Sequence, residues 1–342
     1  ARAGGDEDEY LGVGLADALV ARLSSVQRLV VRPTSSVLRY GGTDPLEAGR
    51  ELGVDYVVTG TIRRAGPSIR VSAQLLDVRE GATRWARKFD GKAGDVLHLE
   101  DTLSEQLASA LVPHLTGDEQ RELQKRGTES PEAYEAYLRG RFYWNTFTEE
   151  GFAKALVSYS RAIAIDPNYA APYGGIADYY NWLGVYGIMP FAECSAAARE
   201  AARKAVELDP TSAEAYSALG FATITHDFDW QSAERQHLRA LELNPKYATA
   251  HQWYGFHLAM EGRFEESILE MQRARALDPL TPSIVQALSW AHYQARQFDE
   301  AIAASRQLLD IEPNFAYGLA TFSWILRRAG QHEEAVKVAQ KA

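Results

Sequence analysis

Several places in this 342-residue chain carry side chains that could do chemistry. Gly12-x-Gly14 opens a helical pattern and invites a phosphate-cradling loop. It lacks the third glycine, follows four acidic residues where a strand should stand, and has no Lys-Ser/Thr sequel, so close helix packing is the favoured reading. His226-Asp227-Phe228-Asp229 offers metal-ligand types, yet it falls between two helical segments and no second cluster supports it; a solvated turn is expected. His251 and His257 are six apart and miss the i, i+4 spacing that aligns two imidazoles on a helix face, while His237 occupies a packing position. Cys194 has no signature pairing it with a base and reads as a small apolar residue in an Ala-rich helix. No catalytic set, metal site or cofactor fingerprint emerges, and the expectation is a non-enzymatic chain.

Two other groups could bind without reacting. Arg63, Arg64, Arg70, Arg84 and Lys88 could make a sheet face basic enough for an anion, although a solvated face interleaved with Asp and Glu is the commoner outcome. The second group is an aromatic column, visible only against the repeat that carries it.

That repeat is marked by Asp166-Pro167, Asp209-Pro210, Asn244-Pro245, Asp278-Pro279 and Glu312-Pro313, in steps of 43, 35, 34 and 34 residues. Small residues keep step. Five before each proline stand Ala162, Ala205, Ala240 and Ala274, with Leu308 the exception; twelve before stand Ala155, Ala198, Ala233, Ser267 and Ala301; ten after stand Ala177, Gly220, Gly255, Ser289 and Ser323. Such residues let paired helices approach closely. Each unit reads as helix, turn, helix: apolar spacing of three and four marks the second helix, the proline stops it, and turns such as Glu261-Gly262-Arg263 join the pair.

From about Pro131 to the last residue the sequence resembles the tetratricopeptide-repeat family, in about six units with the last cut short. The resemblance implies an all-α right-handed superhelix of helical hairpins whose groove binds protein or peptide. One position after the small residue of each first helix stand Asp178, Phe221, Phe256, Trp290 and Trp324, with Tyr293 three beyond Trp290. In the family this position often faces the groove, so Phe221, Phe256, Trp290, Tyr293 and Trp324 are the expected partner-binding residues; the alternative is that the rings pack between units. The 43-residue step holds nine extra residues around 181–190, which either lengthen the first helix or form an apolar loop.

In residues 1–117 the pattern is mixed. Leu11, Leu15, Ala18, Leu19 and Leu23 share a helix face behind Asp6-Glu7-Asp8-Glu9. Leu29–Pro33 reads as a short strand, and Asp44-Pro45 opens a second helix that Gly53 ends. Strands at 56–62, 69–77 and 83–89 follow, joined by Ala65-Gly66-Pro67-Ser68 and Arg79-Glu80-Gly81, then a helix over 96–111. Residues 118–130 form a linker or a further helix.

Tyr10–Asp17, Gly49–Gly60, Ala73–Asp77 and Trp85–Asp90 together resemble a TolB amino-terminal-like domain. The two resemblances imply an α+β chain, a small α/β sheet domain followed by the repeat array, as in the effector part of CadC-like winged-helix bacterial transcriptional regulators. Related architectures carry a protein kinase or cyclase instead, and a nucleotide-binding α/β domain is the other alternative. The family's leading apolar strand is missing, which leaves a sheet edge open; a homodimer through that edge or the uncapped last repeat is the corresponding expectation. The absent initiator methionine and the stop inside a sixth unit suggest a fragment of a longer protein.

Net charge is −10, with 17 basic against 20 acidic residues in 1–130 and 19 against 26 beyond, so neither half suits a phosphate backbone. No apolar run reaches the ~20 residues of a membrane span. The compartment stays open, cytoplasmic or, with an upstream anchor, periplasmic.

Overall fold

The computed structural model describes residues 6–26, 28–66, 68–92, 96–146 and 148–342, and it divides into two compact units, one through Gly175 and one from Ile176. The mixed α/β elements lie in the first: α1 (Asp6–Ser24), α2 (Thr34–Leu38), α3 (Pro45–Glu51), β1 (Tyr56–Ala65), β2 (Ser68–Asp77), β3 (Ala82–Lys92), α4 (Val96–Leu111) and α5 (Gly117–Gln124). The hairpin α6 (Pro131–Trp144) and α7 (Glu149–Ile165) completes it.

The strands form an antiparallel sheet in the order β1-β2-β3. Ile62 pairs with Val71 and Val71 with Phe89, while Leu75 pairs with Val58 and Trp85. Ile69, Val71, Ala73 and Leu75 are buried and alternate with more exposed neighbours, the pattern of a half-buried strand. They share a core with Leu11, Leu15 and Leu19 of α1 and Leu99, Leu103 and Leu107 of α4. Asp44 caps α3 by accepting from the Glu47 amide at 3.1 Å, and Gly53 ends it at φ +62°. Gly81 takes up the β2–β3 turn at φ +64°; Pro67 of the β1–β2 turn lies outside the described residues, as do Ala1–Gly5.

Two stretches differ from expectation. Leu29–Pro33 is not a strand: an apolar run becomes one only as a member of a ladder, the described sheet is made of β1, β2 and β3, and Val30 is exposed. Within 118–130 a helix does form. Thr116 accepts from the Glu119 amide at 3.2 Å and Glu119 accepts from the Thr116 amide at 2.8 Å, a capping box that starts α5.

Polar clamps tie α1 to its neighbours. Buried Asp17 accepts from Arg141 Nε at 2.6 Å and from Asn145 at 3.2 Å; burial alone would raise its carboxyl, but the guanidinium holds it below the usual carboxylate value. Arg22 bridges Glu100 at 2.6 Å and Asp101 at 2.7 Å. The backbone of α1 approaches α6 so closely that a Cβ on Gly14 would lie 3.0 Å from that of Leu138, the packing role expected of this glycine.

Hairpins fill the rest: α8 (Ala170–Val185), which crosses the division between the units, α9 (Phe191–Leu208), α10 (Ala213–His226), α11 (Trp230–Leu243), α12 (Ala248–Met260), α13 (Phe264–Leu277), α14 (Pro282–Gln294), α15 (Phe298–Ile311), α16 (Ala316–Arg328) and α17 (His332–Ala339). These helices follow one another as the pairs that the proline-marked repeat predicts. The residue before each proline leaves the α region, with ψ between 87° and 95° from Asp166 to Glu312, yet its amide still reaches the carbonyl four back. The acidic or amide side chain there also acts: Asp166, Asp209 and Asn244 each accept, at 3.0 Å, from the amide two residues on.

Inside each pair the first helix presents a small residue to a larger partner. A Cβ on Gly140 would lie 2.3 Å from the Tyr159 ring, one on Gly220 2.7 Å from His237, and one on Gly255 2.9 Å from Met271; in α14 and α15 the seam is a Ser289–Ser305 hydrogen bond of 2.6 Å. The extra residues of the wide step lengthen both helices, α8 to 16 residues and α9 to 18, against 13 or 14 in each helix from α10 to α15.

Turns between paired helices need a left-handed residue. Gly262 and Gly330 supply it at φ +80° and +82°, but Phe228 and Arg296 hold φ +55° and +60° with a side chain attached, a conformation that costs about 1–2 kcal/mol outside glycine. Arg296→Gly is therefore expected to raise stability by up to about 1 kcal/mol, and Gly262→Ala to lower it by about 1 kcal/mol. Urea midpoints of the two variants, measured side by side, check the opposite signs.

Candidate functional site

The column expected to meet a partner spans first helices that pack in succession, α10 on α12, α12 on α14 and α14 on α16. Side-chain amides bracket the stack: Gln252 donates to the Ser283 carbonyl at 3.1 Å, and Asn181 to the Ala218 carbonyl at the same distance. Phe221 and Phe256 are buried, their rings 4.1 and 5.6 Å from Trp253, which is itself fully enclosed. Trp290 is half-buried and touches Phe256 at 5.0 Å; Tyr293, also half-buried, leans on Phe298. Trp324 is 56% exposed. Solvent thus meets the column progressively more towards α16.

Sequence reading missed the other half of this layer. Trp182, on α8, lies 4.7 Å from Trp253 and stacks at 5.4 Å on Tyr186, and Tyr186 meets Tyr317 at 4.7 Å and Phe315 at 6.2 Å. The helix that was lengthened by the insertion therefore reaches across from α12 to the start of α16. The aromatic density of 181–190 was the available signal; its direction was not readable.

The remaining candidates resolve simply. Among the basic sheet residues, Arg70 pairs with Asp90 at 2.5 Å and Arg84 with Asp77 and Glu80 at 3.1 and 2.7 Å, while Arg63, Arg64 and Lys88 are exposed. Arg63 registers with Arg70, and Arg70 with Asp90, so a carboxylate stands in that cationic row. In the His226–Asp229 turn, Asp229 caps α11 by accepting from the Ser232 amide at 3.0 Å, and Asp227 pairs with Arg199. Cys194 is buried against α8, its Cβ 3.2 Å from where a Cβ on Gly184 would stand, and burial raises its thiol pKa. Among the described residues no group of three His, Cys, Asp or Glu side chains is placed to hold a metal ion. Depressions of about 460 Å³ between α13, α14 and α15 and about 540 Å³ on α6 and α7 contain none of the column residues.

Histidines form an interior group instead. His251 joins Glu270 through Nδ1 at 2.6 Å and faces the Pro245 carbonyl at 3.0 Å. His237 and His257 are fully enclosed with rings 5.4 Å apart; among the described residues both His237 ring nitrogens and His257 Nδ1 have no hydrogen-bond partner, while His257 Nε2 lies 3.4 Å from a Glu261 carboxylate oxygen. Burial pushes the pKa of His237 well below its ordinary 6.5, with His257 adding to the effect.

No family model matches the chain. It is 32% identical over 189 residues to putative adenylate cyclase 3 of Rhizobium meliloti, which covers 53% of this chain and 32% of that protein. It is 25% identical over 275 residues to the transcriptional regulator HilA of Salmonella typhimurium, covering 78% of this chain and 47% of HilA. The chain thus spans a third to a half of these relatives. A structure of the human IFIT1 dimer with m7Gppp-AAAA shares the fold at TM-score 0.52 and 13% identity, over 72% of this chain and 66% of that one.

A buried neutral imidazole has a definite consequence for acid stability. The folded His237 resists the proton that the unfolded chain accepts below pH about 6.5, so its contribution is absent above that value and becomes destabilising as the pH falls through it. His237→Leu is expected to reduce the loss of stability between pH 6.5 and 5, by at most about 1.4 kcal/mol per pH unit. Urea denaturation of both proteins at the two pH values checks this.

Proposed function

We propose that this chain is the non-enzymatic interaction part of a bacterial regulator, and that a protein or peptide segment binds at the α14–α16 end of the aromatic column. The observation that carries this reading is Trp324 on α16, 56% exposed, with Trp290 and Tyr293 on α14 half-buried, where the preceding rings of the column are covered. Aromatic anchors of this kind dominate interface energetics. The relatives support the same view. A putative cyclase and a transcriptional regulator have unlike outputs, and each is matched over only part of its length, as expected of a shared regulatory segment. A second reading, favoured by the 32% identity, places this segment beside a cyclase rather than a DNA-binding domain. The acidic balance, −10 overall, speaks against nucleic acid as the partner of this part. Self-association through β1 belongs to the same proposal: Tyr56 and Val58 are exposed, and no charge interrupts 56–62 to discourage strand addition.

Peptides selected on the wild-type chain from a random display library provide the test. Trp290→Ala combined with Trp324→Ala is expected to weaken them by about tenfold or more, since an anchoring ring contributes about 2 kcal/mol, while the circular dichroism spectrum stays unchanged. Undiminished binding by the double variant would remove the column as the binding surface.

A further inference from the structure

We infer that the end of α8 together with the turn residue Tyr186 is a built-in occupant of the aromatic layer, and that the layer takes a helical partner segment presenting two aromatic side chains four residues apart. The inference rests on the interaction surface proposed above and adds its ligand class. Trp182 and Tyr186 are such a pair on one helix face, stacked at 5.4 Å. One meets Trp253 in α12 and the other meets Tyr317 at the start of α16. Neither contact belongs to the pairing of α8 with its own hairpin partner α9, which is made at Gly184, where a Cβ would lie 3.2 Å from Cys194 Cβ and from the Phe191 ring. The turn therefore occupies the first-helix face in the manner of a bound peptide.

Its fit is incomplete. Both the Tyr186 hydroxyl and the Trp253 indole N–H are buried without a hydrogen-bond partner among the described residues, so two donors are desolvated with nothing gained in return. A segment that brings the same rings and also offers an acceptor competes on favourable terms. The exit is short as well: α8 ends at Val185, the Tyr186 amide still donates to the Trp182 carbonyl at 2.9 Å, Gly187 follows at φ +67°, and Ile188 beyond it is exposed. Unwinding one turn frees the layer while Asn181 keeps α8 anchored to α10.

A fluorescent peptide of residues 178–190 is the probe, titrated against the full chain by anisotropy. Tyr186→Ala is expected to bind it at least tenfold more tightly than wild type, and a peptide with alanine at both the Trp182 and Tyr186 positions is expected not to bind. Equal affinity for wild type and Tyr186→Ala, or undiminished binding of the alanine peptide, would overturn the inference. Should Tyr186→Ala fail to fold, hydrogen exchange on the wild type decides: excess peptide accelerates exchange at 183–186 if the turn is displaced, and unchanged rates refute it. The Trp290→Ala, Trp324→Ala protein separates the two proposals. If that protein loses a peptide which wild type and Tyr186→Ala bind equally, the surface stands and the occupant falls. If it keeps tight binding once Tyr186→Ala is added, the occupant stands and the α14–α16 end falls.

Discussion

Close approach of paired helices is the constraint on which the repeat region depends. Gly140, Gly220 and Gly255 have no space for a Cβ because Tyr159, His237 and Met271 stand there, and Ala155, Ala198, Ala233, Ser267 and Ala301 are fully buried on the opposing helices. At such distances packing is decided by shape, and a single methylene is felt. The same interior explains the unpartnered His237: its ring fills a volume, and Met271 and Tyr159 fill the corresponding volumes in other hairpins. An ionisable residue has been used as a space-filler, and its burial disfavours the protonated ring.

Punctuation of the repeat is equally local. Proline removes the preceding residue from the α region, and the Asp or Asn in that place closes the turn that follows by accepting an amide. Dipeptide and period thus express one geometry, which is why helix boundaries were legible from sequence. The strands were legible for a similar reason, since alternation from Ile69 to Leu75 requires only one wet face and one dry one. Leu29–Pro33 was misread because a strand is a property of its neighbour as much as of itself, and the capped α5 was left open because its box is a polar signal in a polar run.

The candidate site was legible only in part. Offsets within the repeat located Phe221, Phe256, Trp290 and Trp324 on successive first helices, but their exposure depends on what comes from elsewhere in the chain. Trp253 sits off the column, and Trp182 and Tyr186 sit in the one irregular step, where periodic reasoning has nothing to compare. Of the column, the end on α14 and α16 is the part that meets solvent.

The contact of Tyr186 with Phe315 and Tyr317 has a consequence for how the second unit comes apart. A stack of hairpins ordinarily behaves as a one-dimensional series, each member stabilised by its neighbours and free to fray from the ends. Here Tyr186, directly after α8, touches the start of α16, so hairpins that are not neighbours in the series are joined by a contact of long sequence separation. Loss of the α16–α17 hairpin strips cover from Tyr186 as well, and formation of the link must await the hairpins between. Such closure exchanges gradual fraying for concerted melting and slower assembly.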